Sequence, residues 1–290
     1  MSFRSGFVAV AGRPNVGKST LVNALAGGKV AIVSDKPQTT RRRISAVVDG
    51  DGYQLVLVDL PGVQRPRDPL TERMQRTVAH ALEDVDGFLL VLAADERIGA
   101  GDRFVAERVF GAGPPVVVAV NKVDRVRPAR IAEQISAAAE LGDFQSLHPV
   151  SALREEGLDE LLHDLVDLLP EGPAYFAEGE RTDLSLEAQV AELVREQALR
   201  LTREEVPHAV SVEVDELDAE EGRVRAFVYV ETDSQKGILV GKGGSMIKEI
   251  GTLARLEVEL LLGRKVFLEL QVKVRPRWRR DESVLDRLGI

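Results

Sequence analysis

A glycine-rich stretch near the start of the chain, Gly12–Thr20, has the sequence GRPNVGKST and directly follows the apolar run FVAVA. It fits the pattern G-x-x-x-x-G-K-[ST], whose fixed positions are Gly12, Gly17, Lys18 and Ser19. In such a loop, backbone N–H groups surround nucleotide phosphates, the lysine reaches the β- and γ-phosphates, and the hydroxyl ligates Mg²⁺. A strand must precede the loop and a helix must follow it, and the flanking residues favour both. The sequence therefore predicts a phosphate-binding P-loop.

The composition is that of a globular protein with a substantial core, since 44% of the 290 residues are hydrophobic and 29% are charged. The longest apolar stretches, such as Phe88–Ala94, are far shorter than a membrane span, and the first residues show no signal-peptide pattern. The absence of cysteine excludes a disulfide framework and a thiolate metal site. These features favour a cytoplasmic protein.

The charge is distributed unevenly along the chain. The net charge is −9, yet residues 236–280 hold eleven Lys and Arg against four Glu, a balance of +7 that leaves −16 for the rest. A basic stretch of this density is typical of a surface that binds a phosphate backbone. The alternative is a solvated basic face, and charge alone does not choose between the two.

Apolar strands alternate with helical stretches over the first 170 residues. The predicted strands are Phe7–Ala11, Ile44–Val48, Leu55–Asp59, Phe88–Ala93, Val116–Asn121 and Leu147–Val150. Helices are predicted near Lys18–Ala26, Leu70–Glu83, Asp102–Phe110, Ala129–Leu141 and Leu158–Leu168. This order predicts an α/β fold with a mostly parallel, doubly wound sheet and ligand-binding loops at the carboxyl ends of the strands.

A different pattern begins after a segment that is rich in proline and glycine. We assign residues 1–170 to a nucleotide-binding domain, 171–184 to a linker and 185–290 to a second domain. The second domain has the predicted order α-β-β-α-α-β, because apolar residues alternate along its strands and recur at helical spacing along its helices. The acidic stretch EVDELDAEE at residues 213–221 is predicted to be the solvated turn between the first two strands.

Three further motifs follow the P-loop, each at the end of a predicted strand. DLPG at residues 59–62 offers a carboxylate that can hold Mg²⁺ through a water and an amide that can sense the γ-phosphate. In NKVD at residues 121–124, Asp124 can accept both the N1–H and the exocyclic amine of guanine, a donor pair that adenine lacks. In VSAL at residues 150–153, backbone N–H groups can reach the guanine O6. Together the motifs predict a G domain that binds GTP or GDP.

The predicted nucleotide contacts form four groups of residues. They are Gly12, Arg13, Pro14, Asn15, Val16, Gly17, Lys18, Ser19 and Thr20, then Asp59, Leu60, Pro61, Gly62 and Val63, then Asn121, Lys122, Val123 and Asp124, and finally Ser151, Ala152 and Leu153. Among them, Ser19 and Asp59 are predicted Mg²⁺ ligands, and Lys18, Asn15 and Gly62 are the candidates for catalytic roles.

The motifs GRPNVGKS, PQTTR, DLPG, NKVD and SAL resemble those of the translation-factor-related GTPases, and the first three are similar to the Era family. The resemblance continues into QKGILVGKGGSMIKEIG and WRRDESVLDRLG, so it covers nearly the whole chain. It implies hydrolysis of GTP to GDP and phosphate, binding of the single-stranded 3′ end of small-subunit (16S) ribosomal RNA, and assistance in assembly and maturation of the 30S subunit. It also implies peripheral association with the inner face of the cell membrane, although no lipidation signal or hydrophobic anchor is found.

By the same resemblance Thr40 would ligate Mg²⁺ beside Ser19, with Thr39 as the alternative. Val63 stands where small GTPases have the glutamine that orients the attacking water, so we expect slow intrinsic turnover. Asn15 is a candidate ligand for K⁺ at the phosphates, as in relatives with this residue, and its alternative role is to shape the loop. The neighbouring arginines, Arg41, Arg42 and Arg43, are interpreted as solvated residues of the switch segment, with a role as arginine fingers as the alternative.

A second glycine motif, Gly241-Lys242-Gly243-Gly244, lies between the short apolar stretch Gly237–Val240 and a predicted helix from Ser245. In a KH domain a G-x-x-G loop clamps about four nucleotides of single-stranded nucleic acid, and the order α-β-β-α-α-β matches the KH fold of the family that the chain resembles. The alternative is an ordinary turn between helices. The expected RNA contacts are Lys236, Gly241, Lys242, Gly243, Gly244 and Lys248.

Trp278, the only tryptophan, is expected to pack the C-terminal segment onto the second domain, with base stacking as the alternative.

Several functions fit these motifs. The leading hypothesis is a GTP-switched factor for small-subunit ribosomal RNA, and the full set of nucleotide motifs in one chain favours a monomer. One alternative is a P-loop kinase or ATPase with a nucleic-acid domain, which NKVD opposes. Others are an RNA-binding module with a structural nucleotide, and a GTPase that acts on another RNA, such as transfer RNA, or on another assembly step.

Overall fold

The computed structural model describes residues 2–36, 38–63, 66 and 68–290, so Pro37 of the PQTTR motif lies outside the described residues. The chain divides into two compact units after Asp183. The described residues between Ile32 and Thr39 and residues 68–70 belong to the second unit, although they lie within the sequence of the first. Each unit has its own apolar core.

The first unit is a six-stranded sheet flanked by helices. Its strands are β1 (Arg4–Ala11), β2 (Ile44–Gly50), β3 (Tyr53–Asp59), β4 (Gly87–Ala93), β5 (Val116–Asn121) and β6 (Ser146–Pro149). Their order is β2-β3-β1-β4-β5-β6, and β2 alone among these six runs antiparallel to its neighbour. The helices in this part of the chain are α1 (Lys18–Leu25), α2 (Pro69–Ala81), α3 (Ala100–Phe110), α4 (Pro128–Ala139) and α5 (Leu158–Asp167). The predicted α/β fold with a mostly parallel sheet is confirmed.

Apolar residues cover both faces of this sheet. The central strand β4 has the sequence GFLLVLA, and all of it is buried. Val8 and Val10 of β1 belong to a core with residues of α1 and α5, whereas the alternate residues Ala9 and Ala11 belong to a core with residues of α3 and α4. Continuous apolar strands of this kind are typical of parallel sheets that helices cover on both sides.

The nucleotide motifs lie at the carboxyl ends of parallel strands. The P-loop follows β1, DLPG begins at the last residue of β3, NKVD begins at the last residue of β5, and the SAL motif follows β6. Because these strands run in the same direction in one sheet, their carboxyl ends meet at one edge, where α/β proteins bind ligands.

The segment predicted to be a linker packs along the first unit as far as Asp183. Gln54 Oε1 accepts hydrogen bonds from the backbone N–H groups of Tyr175 and Phe176 at 2.7 and 2.9 Å. Farther along, the carboxylate of Asp183 accepts hydrogen bonds from the backbone N–H and the Oγ of Ser45 at 3.0 and 2.7 Å. These contacts fasten the segment to β2 and β3.

The second unit has the α-β-β-α-α-β order of a KH fold, with short helices added. Its elements are α6 (Leu186–Leu201), α7 (Val206–Ala209), β7 (Ser211–Asp218), β8 (Arg223–Val230), α8 (Asp233–Val240), α9 (Ser245–Leu262), β9 (Phe267–Val274) and α10 (Glu282–Arg287). β8 lies between β7, to which it is antiparallel, and β9, to which it is parallel. In the described part of the chain no helix is both long and apolar enough to span a membrane.

The acidic stretch at residues 213–221 differs from its prediction as a turn. It forms most of β7, and the turn begins only after Asp218. The strand tolerates its acidic residues because β8 supplies a counter-charge: Arg225 Nε lies 2.6 Å from Asp215 Oδ2, and its Nη2 lies 2.9 Å from Glu216 Oε2. Opposite charges on adjacent strands stabilise a pairing that the polar composition alone does not indicate.

The short apolar stretch Gly237–Val240 forms the second half of helix α8, the first of the two helices in the predicted α-α pair. The helix begins at a capping box in which Thr232 Oγ1 accepts a hydrogen bond from the backbone N–H of Gln235 at 3.3 Å. Gln235 Oε1 in turn accepts one from the backbone N–H of Thr232 at 3.2 Å. The capping box is the local signal for this helix.

Trp278 packs the C-terminal segment onto the second unit, as expected. Its side chain is fully buried, and Nε1 donates a hydrogen bond to the backbone carbonyl oxygen of Ala209 at 2.7 Å. A buried indole whose N–H is satisfied has no free face for a base. The stacking alternative is therefore wrong for this arrangement.

Candidate nucleotide site and nucleic-acid groove

The P-loop backbone is left-handed at two positions. Gly17, directly before α1, has a φ of 98°, and Asn15 has a φ of 67°. A Cβ on Gly17 would lie 2.3 Å from Nδ2 of Asn121, so conformation and space both require glycine. Among the described side chains none caps α1. The first N–H groups of this helix are therefore available to an anion.

Lys18 is almost fully buried under the loop. Its Nζ donates hydrogen bonds to the carbonyl oxygens of Gly12 and Arg13 at 3.1 and 3.0 Å. Burial lowers the pKa of Lys18 to about 8, while the nearby carboxylate of Asp59 acts in the opposite direction. The ammonium therefore stays mostly protonated at neutral pH, and nearby phosphate oxygens would favour the charged form further.

Three side-chain oxygens converge at the start of α1. Ser19 Oγ donates a hydrogen bond to Asp59 Oδ2 at 2.7 Å and lies 3.0 Å from Thr40 Oγ1, which is 3.3 Å from the same carboxylate oxygen. Neighbouring ligands in an octahedral Mg²⁺ site, each about 2.0–2.1 Å from the ion, are roughly 2.9 Å apart. The donor set and its spacing therefore fit Mg²⁺. Thr39 is oriented differently, since its Oγ1 donates to the carbonyl oxygen of Lys36 at 2.6 Å.

The carboxylate of Asp59 is fully buried, and one of its oxygens lacks a hydrogen bond. Burial raises the pKa of Asp59, while Lys18 and the hydroxyl groups of Ser19 and Thr40 lower it. Oδ1 has no hydrogen-bond partner among the described residues. An unsatisfied buried oxygen is costly, and a bound cation would compensate this cost. The observation supports a divalent cation beside Asp59.

The DLPG motif packs tightly against the P-loop. A Cβ on Gly62 would lie 2.8 Å from Cγ of Pro14, so glycine is needed for this close approach. The carbonyl oxygen of Gly62 accepts a hydrogen bond from Gln75 Nε2 at 3.2 Å. Leu60 and Val63 are buried in the core on the α3 side of the sheet. The residue after DLPG is thus a core residue with no group that could orient water.

The arginines that precede β2 differ in exposure. Arg41 is buried, so its interpretation as a solvated residue is wrong, whereas Arg43 is exposed. Arg41 adjoins Thr40, which is also buried, and its exposed fraction is only 3%, so the whole side chain and not only its stem is covered. The guanidinium carbon of Arg43 lies 6.0 Å from the ring centroid of Phe7. Asn15, the candidate K⁺ ligand, is exposed on the P-loop.

Asn121 joins three of the motifs through one almost fully buried amide. Its Nδ2 donates a hydrogen bond to the carbonyl oxygen of Val16 in the P-loop at 3.1 Å. Its Oδ1 accepts hydrogen bonds from the backbone N–H groups of Lys122 and Ala152 at 2.8 and 3.0 Å. The amide therefore fixes the P-loop, NKVD and SAL relative to one another.

The SAL motif orients Asp124. Ser151 Oγ donates a hydrogen bond to Asp124 Oδ1 at 2.6 Å and accepts one from the backbone N–H of Arg154 at 3.2 Å. Lys122 Nζ lies 3.3 Å from Asp95 Oδ1, which draws the lysine stem along the same loop. The carboxylate predicted to read guanine is thus held by a hydroxyl from the neighbouring motif.

Arg13 has a role that the sequence pattern does not predict, because it occupies a variable position of the P-loop. Its Nε donates a hydrogen bond to Asp102 Oδ1, and its Nη2 to Glu96 Oε2, each at 2.7 Å. The other oxygen of Asp102 accepts from the backbone N–H of Gly99 at 2.9 Å, at the start of α3. Arg13 therefore anchors the P-loop to residues far along the chain, which no local signal could show.

The G-x-x-G loop joins α8 to α9 through left-handed glycines. Gly241, Gly243 and Gly244 have φ values of 72°, 60° and 82°. A Cβ on Gly241 would lie 2.8 Å from the backbone N of Met246, whereas at Gly243 and Gly244 no described atom lies within 4 Å of that position. The backbone of these two residues is open to a close ligand, and Lys242 beside them is exposed.

A groove of about 550 Å³ lies between α9 and β9 and begins at the first turn of α9, next to this loop. Its lining is mainly apolar, with Lys248 and Arg255 as positive charges, and Lys236 is exposed on α8. An apolar groove beside a G-x-x-G loop suits the bases of a single strand whose phosphates lie at the loop. The groove is lined by Ile247, Lys248, Gly251, Thr252, Arg255, Val266, Phe267, Leu268, Glu269 and Leu270.

Two protein families match the sequence, one in each unit. Residues 7–122 match the family described as 50S ribosome-binding GTPase, and residues 205–279 match the KH domain family. The first match covers the P-loop, DLPG and the start of NKVD. The second contains the G-x-x-G loop and the groove.

Similar proteins match over the full length of the chain. GTPase Era of Mycobacterium sp. (strain JLS) is 48% identical over 295 residues, and GTPase Era of Mycobacterium bovis (strain BCG / Pasteur 1173P2) is 47% identical over 296 residues. In each case 99% of both chains is covered.

Solved structures of Era agree with this match. Era in complex with MgGDPNP and nucleotides 1506–1542 of 16S ribosomal RNA has a TM-score of 0.94 and 38% identity, with 99% of both chains covered. A single-residue variant of Aquifex aeolicus Era bound to GDP and AlF4⁻ gives the same values. The resemblance seen in the motifs is confirmed over the whole chain, and the chain belongs to the Era family of GTPases.

Proposed function

We propose that this chain is a GTP-controlled factor that binds the single-stranded 3′ end of 16S ribosomal RNA and assists assembly and maturation of the 30S subunit. The observation that carries the proposal is the α9–β9 groove beside the G-x-x-G loop, in a chain similar over its full length to Era bound to MgGDPNP and 16S ribosomal RNA. The first unit would hydrolyse GTP, and the second would hold the RNA.

The nucleotide-binding roles follow from the contacts around the P-loop. The amides from Asn15 to Ser19 and the Lys18 ammonium would bind the phosphates, because they are donors at the start of a helix. Asp124, held by Ser151, would accept the N1–H and amine of guanine. Arg13 and Asn121 would keep the loops in place.

Ser19, Thr40 and Asp59 would hold the Mg²⁺. The ion, when bound, supplies positive charge to the β- and γ-phosphate oxygens. We propose Thr40 rather than Thr39 as the ligand, because the Thr40 hydroxyl lies beside Ser19 whereas the Thr39 hydroxyl donates to the carbonyl oxygen of Lys36. The orphan oxygen of Asp59 supports the same site.

Slow hydrolysis follows from the side chains near the γ-phosphate position. Val63 is buried and apolar, so it cannot orient a water, and Lys18 together with backbone N–H groups, including that of Gly62, would stabilise the transferred charge. Asn15 is exposed on the loop and would offer its side-chain oxygen to K⁺. A cation there would add the positive charge that other GTPases obtain from an arginine.

The switch would rest on Thr40 and Gly62, because only a nucleotide with a γ-phosphate contacts both. Binding of GTP would select the arrangement in which the two residues are engaged, and hydrolysis would release it. The RNA affinity of the second unit would then depend on the nucleotide in the first.

RNA binding would use the glycine backbone and the lysines around it. Gly241, Gly243 and Gly244 would admit the phosphates, and bases would enter the α9–β9 groove. The exposed lysines Lys236, Lys242 and Lys248 would neutralise the RNA backbone. The proposed contacts lie within the basic stretch of residues 236–280, although the net charge of the whole chain is negative.

The small subunit is a better proposal than the large one, although one matched family is described as 50S ribosome-binding GTPase. That match covers residues 7–122 and so contains none of the second unit. The full-length similarity is to Era bound to nucleotides of 16S ribosomal RNA. Competition by transfer RNA or large-subunit RNA would reveal a different target.

We propose a cytoplasmic monomer that makes peripheral contact with the inner face of the cell membrane. The membrane contact and the location rest on the family, and the monomer on the presence of all the nucleotide motifs in one chain. Sedimentation of the purified protein with vesicles of anionic lipid would test the membrane contact.

The central experiment measures the affinity of the full chain for a short single-stranded RNA that copies the 3′ end of 16S ribosomal RNA. Fluorescence anisotropy would be recorded with Mg²⁺ and either GDPNP or GDP, at one fixed salt concentration. We expect tighter binding with GDPNP. A scrambled RNA of equal length is the control.

Equal RNA affinity in the two nucleotide states would contradict the switch and leave two independent binding units. Equal affinity for the scrambled RNA would contradict the assignment to the 3′ end. A Gly243→Asp variant should lose RNA binding in both states while it keeps GDPNP affinity, because its side chain would place a negative charge where the phosphates lie.

A further inference from the structure

Helix α6 buries charged residues that an amphipathic helix would normally expose. The charged residues Glu192, Arg195 and Glu196 have exposed fractions of 7%, 2% and 2%, and the polar Gln197 has one of 3%. Buried charges are costly unless they are paired and hydrogen-bonded. The partners of these side chains therefore show what this face of the helix holds.

Two of the buried charges bind the backbone of the segment that leads to the proposed Mg²⁺ site. Glu196 Oε1 accepts a hydrogen bond from the backbone N–H of Val33 at 2.9 Å. Arg195 Nη2 donates one to the backbone carbonyl oxygen of Thr39. Val33 and Thr39 belong to the second unit, as α6 does. The helix therefore holds the described backbone near both ends of residues 33–39.

Arg195 is itself oriented by a neighbour on the helix. Its Nε donates a hydrogen bond to Glu192 Oε1 at 3.1 Å, and its Nη2 donates to Glu192 Oε2. A bidentate pair of this kind fixes the plane of the guanidinium. Nη1 is buried and has no hydrogen-bond partner among the described residues.

The carbonyl of Thr39 and the amide of Thr40 form one rigid peptide unit. Thr40 Oγ1 lies 3.0 Å from Ser19 Oγ and 3.3 Å from Asp59 Oδ2. Gln38 has a φ of 62°, which is uncommon for a residue other than glycine and persists only where contacts hold it. A hydrogen bond to the Thr39 carbonyl therefore restricts where the Thr40 hydroxyl can lie.

We infer that Arg195 and Glu196 are positioning residues for the GTPase reaction, which place Thr40 at the Mg²⁺ site by holding the backbone at Val33 and at Thr39. The inference rests on the proposed function, in which Thr40 ligates Mg²⁺ in the GTP state. Val194 and Ala198 of the same helix belong to the core of the KH unit. The same helix therefore holds the Thr39 carbonyl and forms part of the core of the KH unit.

The test measures nucleotide affinity of the full chain without RNA. In Arg195→Met the stem and the helix propensity are kept while every donor is lost. We expect its affinity for GDPNP with Mg²⁺ to fall roughly five- to tenfold and its GDP affinity to stay within about twofold, because only the γ-phosphate state uses Thr40. Arg195→Lys keeps a cation and a donor, so it should recover part of the loss.

Matched variants separate positioning from stability. Arg200→Met makes the same change at an exposed position of α6 and should behave as the wild type. Glu196→Met removes the acceptor oxygen for the Val33 N–H and should therefore also lose GDPNP affinity. Thermal unfolding of each variant shows whether it is folded, and the lysine variant and Glu196→Met carry the test if Arg195→Met does not fold.

The inference is overturned if folded Arg195→Met and Glu196→Met keep the wild-type ratio of GDPNP to GDP affinity, or lose both affinities equally. A wild-type chain that shows no Mg²⁺-dependent preference for GDPNP would instead contradict the metal role of Thr40. Absence of RNA binding by the wild type would contradict the proposed function alone, since this test contains no RNA.

Discussion

Asp59 and Ser19 are linked by a hydrogen bond of 2.7 Å that uses one carboxylate oxygen, while the other oxygen of Asp59 has no hydrogen-bond partner among the described residues. The buried carboxylate of Asp59 therefore has a hydrogen-bond partner for only one of its two oxygens. A divalent cation completes such an arrangement, and without it the carboxylate repels phosphates. Asp59 therefore favours GTP binding when Mg²⁺ is present and opposes it when Mg²⁺ is absent.

We expect Asp59→Asn to weaken GDPNP binding about tenfold or more when Mg²⁺ is present. With EDTA in place of Mg²⁺, the variant should bind GDPNP as well as or better than the wild type, because it removes a negative charge near the phosphates. Titration of a fluorescent GDPNP under both conditions checks this. Asp51→Asn, at an exposed position between β2 and β3, is the control. Equal loss with and without Mg²⁺ would contradict a metal role.

Gly17 provides a second prediction, because two requirements for glycine coincide there. Gly17→Ala places a Cβ at 2.3 Å from Asn121 Nδ2 in a left-handed backbone, whereas Gly52→Ala, at a φ of 82°, places one where no described atom lies within 4 Å. Both variants should lose about 1–2 kcal/mol of stability from the backbone conformation. Only Gly17→Ala should lose GDPNP binding. Thermal unfolding and nucleotide titration on both variants distinguish the two effects.

Asp124 provides a test of base recognition. In Asp124→Asn the side chain offers one donor and one acceptor, which complements xanthine rather than guanine. We expect GTP affinity to fall roughly ten- to a hundredfold, through the loss of a charge-assisted hydrogen bond, and xanthosine triphosphate affinity to rise. Competition between the two nucleotides measures the change. An unchanged preference for GTP would contradict the assignment of Asp124 to recognition of the guanine base.

The lysines of the G-x-x-G region provide a prediction about salt. Lys242→Ala and Lys248→Ala should each lower the slope of log affinity against log salt by about 0.7, the value for one lost phosphate contact on a single strand. Arg103→Ala, an exposed cation on α3, should leave the slope unchanged. RNA titrations at several salt concentrations provide the slopes. Identical slopes for all three variants would place the RNA elsewhere.

The sequence predicts the nucleotide motifs well because each depends on a local requirement. Gly17 permits a left-handed backbone, and Gly62 permits a close approach to Pro14 that a side chain would block. A glycine at these positions therefore indicates the local geometry directly. The apolar runs predict the strands of the first unit for a similar reason, since a strand covered on both faces must be continuously apolar. These signals can be recognised in the sequence without knowledge of any distant contact.

The features that the sequence does not predict depend on distant partners. The acidic residues Asp215 and Glu216 lie in a strand because Arg225 stands opposite them. Arg195 and Glu196 have the composition of a solvated helix face, yet both are buried against a segment more than one hundred residues earlier in the chain. Pairing of this kind is decided by tertiary structure, which overrides local polarity.

The buried indole of Trp278 makes the native chain its own optical probe. It is the only tryptophan in the protein, and its hydrogen bond to Ala209 and its complete burial belong to the KH unit. Because indole emission shifts to longer wavelength when water reaches the ring, intrinsic fluorescence follows the opening of this unit. A fluorescent nucleotide would report on the G domain in the same cuvette. The order in which the two units unfold in denaturant can thus be recorded without attaching a dye to the protein.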